Sequence, residues 1–95
     1  MANYKLSNTA KEDLIRIYLY GVQRFGISQA DKYFNQFFNY FEKIADNLFF
    51  FKAVDYIRNG YRRCLCGSDS IYFRLKSNEV EIMAIVGSQD LNIKL

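Results

Sequence analysis

A chain of 95 residues that is 51% hydrophobic and 18% aromatic, with no proline, is expected to fold throughout as one domain, which excludes a disordered chain or a proline-rich linker. Its net charge of +3 is too mild for a dedicated nucleic-acid binder. The absence of histidine removes the commonest metal ligand and the commonest acid–base group near neutral pH, so any catalysis must come from other groups. No metal and no cofactor is expected.

Asn3 to Leu6 reads as a short strand, and Ser7 as the cap of a helix running to about Phe25, with Thr9 and Glu12 offering a competing capping box. Leu14, Ile17, Tyr18, Val22 and Phe25 recur at helical spacing, thinned by Gly21. Gly26 is expected to end this helix in a left-handed conformation, and Ser28, with Asp31, to open the next one as an antiparallel partner. From about Gln29 to Asn47, Tyr33, Phe34, Phe37, Phe38, Phe41, Ile44 and Ala45 form a heavy aromatic face that suits a helix laid on a sheet. Leu48 to Phe51 follows directly, and at least one of its rings is expected at the surface.

Lys52 to Arg58 reads as an irregular lead-in anchored by Val54 and Ile57, before the turn signal Asn59-Gly60. Alternation then puts Tyr61, Arg63 and Leu65 on one face of a strand and Arg62, Cys64 and Cys66 on the other. Gly67-Ser68-Asp69 supplies a turn, after which Ile71, Phe73 and Leu75 oppose Tyr72, Arg74 and Lys76. Ser77-Asn78 makes the next turn. In the last strand Val80, Ile82, Ala84 and Val86 alternate against Glu81, Met83 and Ile85, so both faces are apolar near its end. The two cysteines read as free, buried thiols, since two thiols do not complete a zinc site, and they suit a reducing cytoplasm. No secretory signal opens the chain and no apolar run approaches the ~20 residues that span a bilayer. The order is β-α-α-β-β-β: an α+β domain over residues 1–95, with a helical hairpin packed on a mainly antiparallel sheet.

A binder with these residues needs an apolar anchor and a positively charged rim, and Arg62, Arg63 and Arg74 with Tyr72 and the last strand supply one. The chain also resembles the ParE toxins of the RelE/ParE toxin superfamily. The likeness lies in Tyr4-Lys5-Leu6-Ser7 with Ala10, Asp13-Leu14 and Ile17-Tyr18; in Phe25-Gly26 with Ala30 and Tyr33; in Ile57-Arg58, Gly60-Tyr61-Arg62, Gly67-Ser68 and Ile71-Tyr72-Phe73-Arg74; and in Val80-Glu81-Ile82, Asp90 and Leu95. Asp69 stands where the family often has a histidine, and Ile85-Val86, Gln89-Asp90 and Lys94 depart from its tail pattern.

The resemblance implies a cytoplasmic protein that poisons DNA gyrase by binding, without enzymatic activity of its own, and that a ParD-like antitoxin neutralises in a higher-order complex. No membrane and no sequence-specific contact with nucleic acid is implied. The target site would comprise Arg62, Arg63, Tyr72, Arg74 and Asp90. The antitoxin would cover Tyr18, Phe25, Phe37, Phe49, Phe50 and Phe51, with an added strand at a sheet edge as a second possibility. The alternatives are a RelE-like, ribosome-dependent mRNA endonuclease, for which the chain lacks good proton-transfer groups, and an inactive relative that only binds its antitoxin.

Overall fold

In the computed structural model, which describes residues 3–87, Ser7 joins strand, helix and sheet. Strand β1 (Tyr4–Leu6) ends at Ser7, whose hydroxyl oxygen accepts the Ala10 N–H at 3.0 Å and so caps α1 (Asn8–Phe25). The same hydroxyl donates to the Met83 carbonyl at 2.8 Å, and the Ser7 N–H donates to the Ile82 carbonyl at 2.9 Å. Helix α2 (Ile27–Asp46) follows after Gly26 alone. Gly26 has φ 89° and ψ 164°, a conformation open essentially to glycine and distinct from the left-handed helical one expected. It donates its N–H to the Val22 carbonyl at 3.0 Å and accepts from the Ala30 N–H at 3.1 Å, capping both helices. Ser28 therefore lies inside the first turn of α2 and is not its cap. Asp31 binds across the hairpin instead, accepting the Tyr18 hydroxyl at 2.7 Å. The helices approach closely at Gly21, where an added Cβ would lie 3.4 Å from the Ala30 Cβ.

A single 3-10 turn at Leu48–Phe50 leads to β2 (Lys52–Ala53), β3 (Arg62–Cys66), β4 (Asp69–Lys76) and β5 (Glu79–Gly87). Among the described residues the sheet has five strands in the order β1-β5-β4-β3-β2, with β1 parallel to β5 and the other pairs antiparallel. The two-residue β2 is an addition to the expected order: Lys52 and Ala53 pair with Arg63 and Arg62 within what reads as an irregular lead-in. Residues 54–61 then form a broad turn held by Val54 N–H to the Tyr61 carbonyl at 2.8 Å and by Gly60 N–H to Asp55 Oδ1 at 2.8 Å.

A β-bulge explains the apolar character of both faces of β5. Tyr72 pairs with Ala84 but Phe73 pairs with Ile82, which leaves Met83 as an extra residue. The pattern of inward residues shifts by one there, so Ile82 and Ile85 both enter the core under the helices, with Phe37, Phe41, Ile44, Ile71 and Phe73. Strict alternation would set Ile82 and Ile85 on opposite faces. The other face carries a smaller cluster in which the 54–61 turn folds Val54, Ile57 and Tyr61 over Tyr72, Met83 and Val86. Beyond β1, α1 covers the outer edge of β5: Asp13 Oδ2 accepts the Ile85 N–H at 2.9 Å, and Arg16 donates to the Ile85 carbonyl at 3.4 Å. Among the described residues, no helix is long and apolar enough to cross a membrane.

Candidate functional site

Two surfaces compete for attention, the sheet face away from the helices and the outside of the helical hairpin. On the sheet face, alternation brings Arg63, Tyr72 and Arg74 together as the sequence implies, and puts Arg62 on the other side. Tyr72 is only 2% exposed under Val54 and Tyr61, so it supports this face from within and offers no contact surface. Arg74 Nε is held by Glu81 Oε1 at 2.9 Å, partly neutralised on the strand pair. Arg63, half-buried, lies opposite Tyr72 and beside the exposed Lys52, and Lys5 flanks Glu81 from β1. The resulting surface is a basic strip of Lys52, Arg63, Arg74 and Lys5, interrupted by Glu81.

Arg62 has a structural task on the helix side. It donates to the Phe51 carbonyl at 2.6 Å and its guanidinium lies 5.0 Å from the centre of the Phe49 ring, which fixes the 3-10 turn against β3. Asp90, Gln89 and Lys94 lie outside the described residues.

On the hairpin, the six aromatic residues expected to meet a partner have different fates. Phe37 is fully buried and Phe51 half-buried, its ring edge-on to Phe73 at 5.7 Å, so Phe37 belongs to the core and is no contact residue. Tyr18 is half-buried against Phe34. Phe25, Phe49 and Phe50 are 66%, 70% and 77% exposed, but Phe25 sits at the hairpin tip while Phe49 and Phe50 follow the far end of α2, so they do not form one patch. The sequence reading missed Ile15, Leu19 and Ile27, exposed by 59%, 61% and 63%. A signal existed: Ile15 and Leu19 stand one turn apart on the side of α1 opposite Ala10, Leu14 and Ile17, where a solvated helix would carry polar residues.

Between the helices and the β3–β4 end of the sheet runs a groove of about 670 Å³, lined by Arg16, Tyr20, Arg24, Lys32, Tyr33 and Asp69 among others. At its floor the Tyr33 hydroxyl lies 2.6 Å from Asp69 Oδ2 and 2.7 Å from the Cys66 carbonyl, so its single proton faces two acceptors. Burial first, and the hydrogen bond to Asp69 next, push the Tyr33 hydroxyl well above the usual phenol range. Asp69 thus serves here as a buried acceptor that ties α2 to the start of β4.

Burial also pushes the Cys64 thiol up to about 11 and the Cys66 thiol up to about 12. Because these folded values lie above the unfolded value of 9.0, the thiols' stabilising contribution is whole below pH 9 and declines as pH rises through 11 and 12. Native protein is therefore expected to resist a thiol-specific disulfide reagent at pH 8 and to react at both cysteines in denaturant. Fast labelling of the native state would contradict this. Among the described residues, no group of three or more histidine, cysteine or carboxylate side chains could hold a metal ion.

The comparisons with known proteins agree with this fold. Residues 4–91 match the family described as ParE toxin of type II toxin-antitoxin system, parDE. The chain is 35% identical over 94 residues to Toxin ParE1 of Caulobacter vibrioides, covering 99% of this chain and 96% of that protein. It is 31% identical over 74 residues to Toxin ParE1 of Mycobacterium tuberculosis H37Rv, covering 78% and 76%. Its fold is similar to a chain of the chromosomal ParDE TA system from P. aeruginosa, with a TM-score of 0.80 at 22% identity, over 92% of this chain and 96% of that one. The family match spans both helices and every strand, and the chain belongs to the ParE toxins of type II toxin-antitoxin systems.

Proposed function

We propose that this chain is a cytoplasmic toxin that stalls DNA gyrase by binding it, and that a ParD-like antitoxin neutralises it by covering the exposed apolar outside of the helical hairpin. The observation that carries the reading is the division of the surface. An apolar ridge of Ile15 and Leu19, with Phe25 and Ile27 at the tip, faces solvent, while the sheet face on the other side of the molecule presents Arg63 and Arg74. A folding antitoxin segment suits the first, because helix-sized apolar surfaces of this kind dock an amphipathic partner. A large, acidic or DNA-bearing target suits the second.

Binding without chemistry also accords with the residues at hand. With no histidine in the chain, a phenol held above its usual range at Tyr33 and a buried one at Tyr72, proton transfer near neutral pH has no suitable donor or acceptor on either tyrosine. Titrated into purified gyrase with ATP and relaxed plasmid, the protein is expected to abolish supercoiling and to accumulate linear DNA once the reaction is stopped with detergent and protease. Arg63→Glu and Arg74→Glu are each expected to raise the concentration needed by about tenfold, the effect of losing roughly 1.4 kcal/mol of contact energy. Full supercoiling at large molar excess would sink the gyrase reading, and cleavage of a message on translating ribosomes would put a nuclease in its place.

A further inference from the structure

The groove between the helical hairpin and the start of β4 carries more positive charge than the fold uses. Its lining includes Arg16 and Arg24 from α1 and Lys32 from α2, all three exposed. The acidic residue in that lining is Asp69, 9% exposed, and its carboxylate already accepts the Tyr33 hydroxyl at 2.6 Å. Neighbouring acids are also engaged elsewhere. Asp31, next to Lys32 in the chain, accepts the Tyr18 hydroxyl at 2.7 Å, and Asp13 accepts the Ile85 N–H at 2.9 Å while meeting Arg16 only at 3.4 Å. Among the described residues Arg24 and Lys32 have no carboxylate within salt-bridge distance.

The spacing of these cations restricts the anion that could satisfy them. Arg16, Tyr20 and Arg24 follow at four-residue steps along one ridge of α1, which sets the two arginines about 12 Å apart along the helix axis, with Lys32 on the facing helix. A single phosphate cannot reach both arginine positions; a chain of phosphates can. Tyr20, between the arginines and 52% exposed, has the Arg24 guanidinium 5.8 Å from its ring centre and offers a flat face of the kind on which a nucleic base stacks. The volume of about 670 Å³ falls within the range of small-ligand sites and exceeds what a lone phosphate fills. The floor is already fixed, because Tyr33 is tied to Asp69 and to the Cys66 carbonyl.

We propose that this groove binds a nucleoside polyphosphate, its phosphate chain meeting Arg16, Arg24 and Lys32 and its base lying against Tyr20. The site binds and does no chemistry on the ligand. A bound nucleotide would neutralise cations that otherwise repel one another across the groove and would brace both helices against the start of β4, so the folded state gains by linkage. A peptide of carboxylates would meet the same charge but would leave the ring face of Tyr20 without a partner. The site stands apart from the gyrase and antitoxin readings above and does not rest on either.

The test is a titration of the full chain with ATP, followed by amide chemical shifts in NMR, beside parallel titrations with tripolyphosphate, adenosine and a short polyglutamate peptide. ATP is expected to bind saturably with a dissociation constant of about 0.1–1 mM, weakening as salt is added, and to shift the amides of Gly21, Ala30, Ser68 and Gly87. Arg24→Glu and Lys32→Glu are each expected to weaken ATP binding by about tenfold, whereas Lys11→Glu, the same change of charge at an exposed position of α1 outside the groove, should alter it by less than about twofold. Tyr20→Ala should weaken ATP by about tenfold and leave tripolyphosphate nearly unchanged. The proposal is overturned by shifts that do not saturate or that cluster away from the groove, by an equal loss in Lys11→Glu, or by tripolyphosphate or polyglutamate binding as tightly as ATP. Should a variant not fold, the shifts of the native chain with the four ligands decide alone.

Discussion

Phe37→Ala is expected to lower the unfolding free energy by about 3–5 kcal/mol, as removal of a fully buried ring does when its surroundings relax only in part. Phe37 has no exposed surface, and its ring lies between Tyr33 at 4.9 Å and Phe41 at 6.3 Å, under a sheet whose inward side chains include Ile71 and Phe73. These neighbours are themselves held, Tyr33 by Asp69 and Phe41 by the rings of Tyr4 and Phe38, so the site has little freedom to collapse. Urea unfolding followed by circular dichroism measures the loss. Phe25→Ala serves as its counterpart, since that ring is 66% exposed at the hairpin tip and its removal should leave stability within about 0.5 kcal/mol. A small effect at Phe37 would mean that the aromatic face of α2 is not the core described here.

Gly67→Ala is expected to cost about 2–4 kcal/mol, from two sources acting at one position. Gly67 has φ +59°, and a Cβ there would come within 2.7 Å of the Tyr33 hydroxyl oxygen and 2.9 Å of its Cε1. A free tyrosine would swing away from such a contact. Tyr33 is pinned by Asp69 Oδ2 and the Cys66 carbonyl, and Asp69 is only 9% exposed, so moving the ring strands a buried carboxyl. The two effects share a partner and should therefore not add. Tyr33→Phe, which already gives up the bonds to Asp69 and Cys66, is expected to make the second change, Gly67→Ala, less costly than it is in the native background. Thermal or urea unfolding of the four proteins closes the cycle, and strict additivity would show that ring and glycine are not coupled.

Much of this architecture is legible in local chemistry. Ser7 before a helical stripe, a glycine between two such stripes, and alternation from Tyr61 to Leu75 suffice to place both helices and strands β3 and β4, because capping, hairpin turns and pleating are fixed by near neighbours. What escaped depends on distant partners. Lys52 and Ala53 form a strand only because Arg62 and Arg63 lie beside them, and the shift at Met83 arises from pairing with β4. The burial of Tyr72 follows from a turn that folds Val54 back over it. For the same reason Arg62, Arg63 and Tyr72, close in the chain or in pattern, divide between two faces and the interior. The hairpin ridge was readable in principle from Ile15 and Leu19, whose apolar side chains stand exposed on the outward side of α1.

The parallel pairing of β1 with β5 also constrains how the protein comes into being. Ser7 is bound to Met83 across 76 positions of sequence, and Asp13 to Ile85 across 72. The two helices can meet early, because Gly26 alone separates them, but the first strand has no neighbour until the last one is made. Folding must close that long loop before the sheet gains its full order, a feature associated with slow assembly. During translation, then, β1 waits unpaired until the synthesis of β5, and their parallel contact is among the last to form.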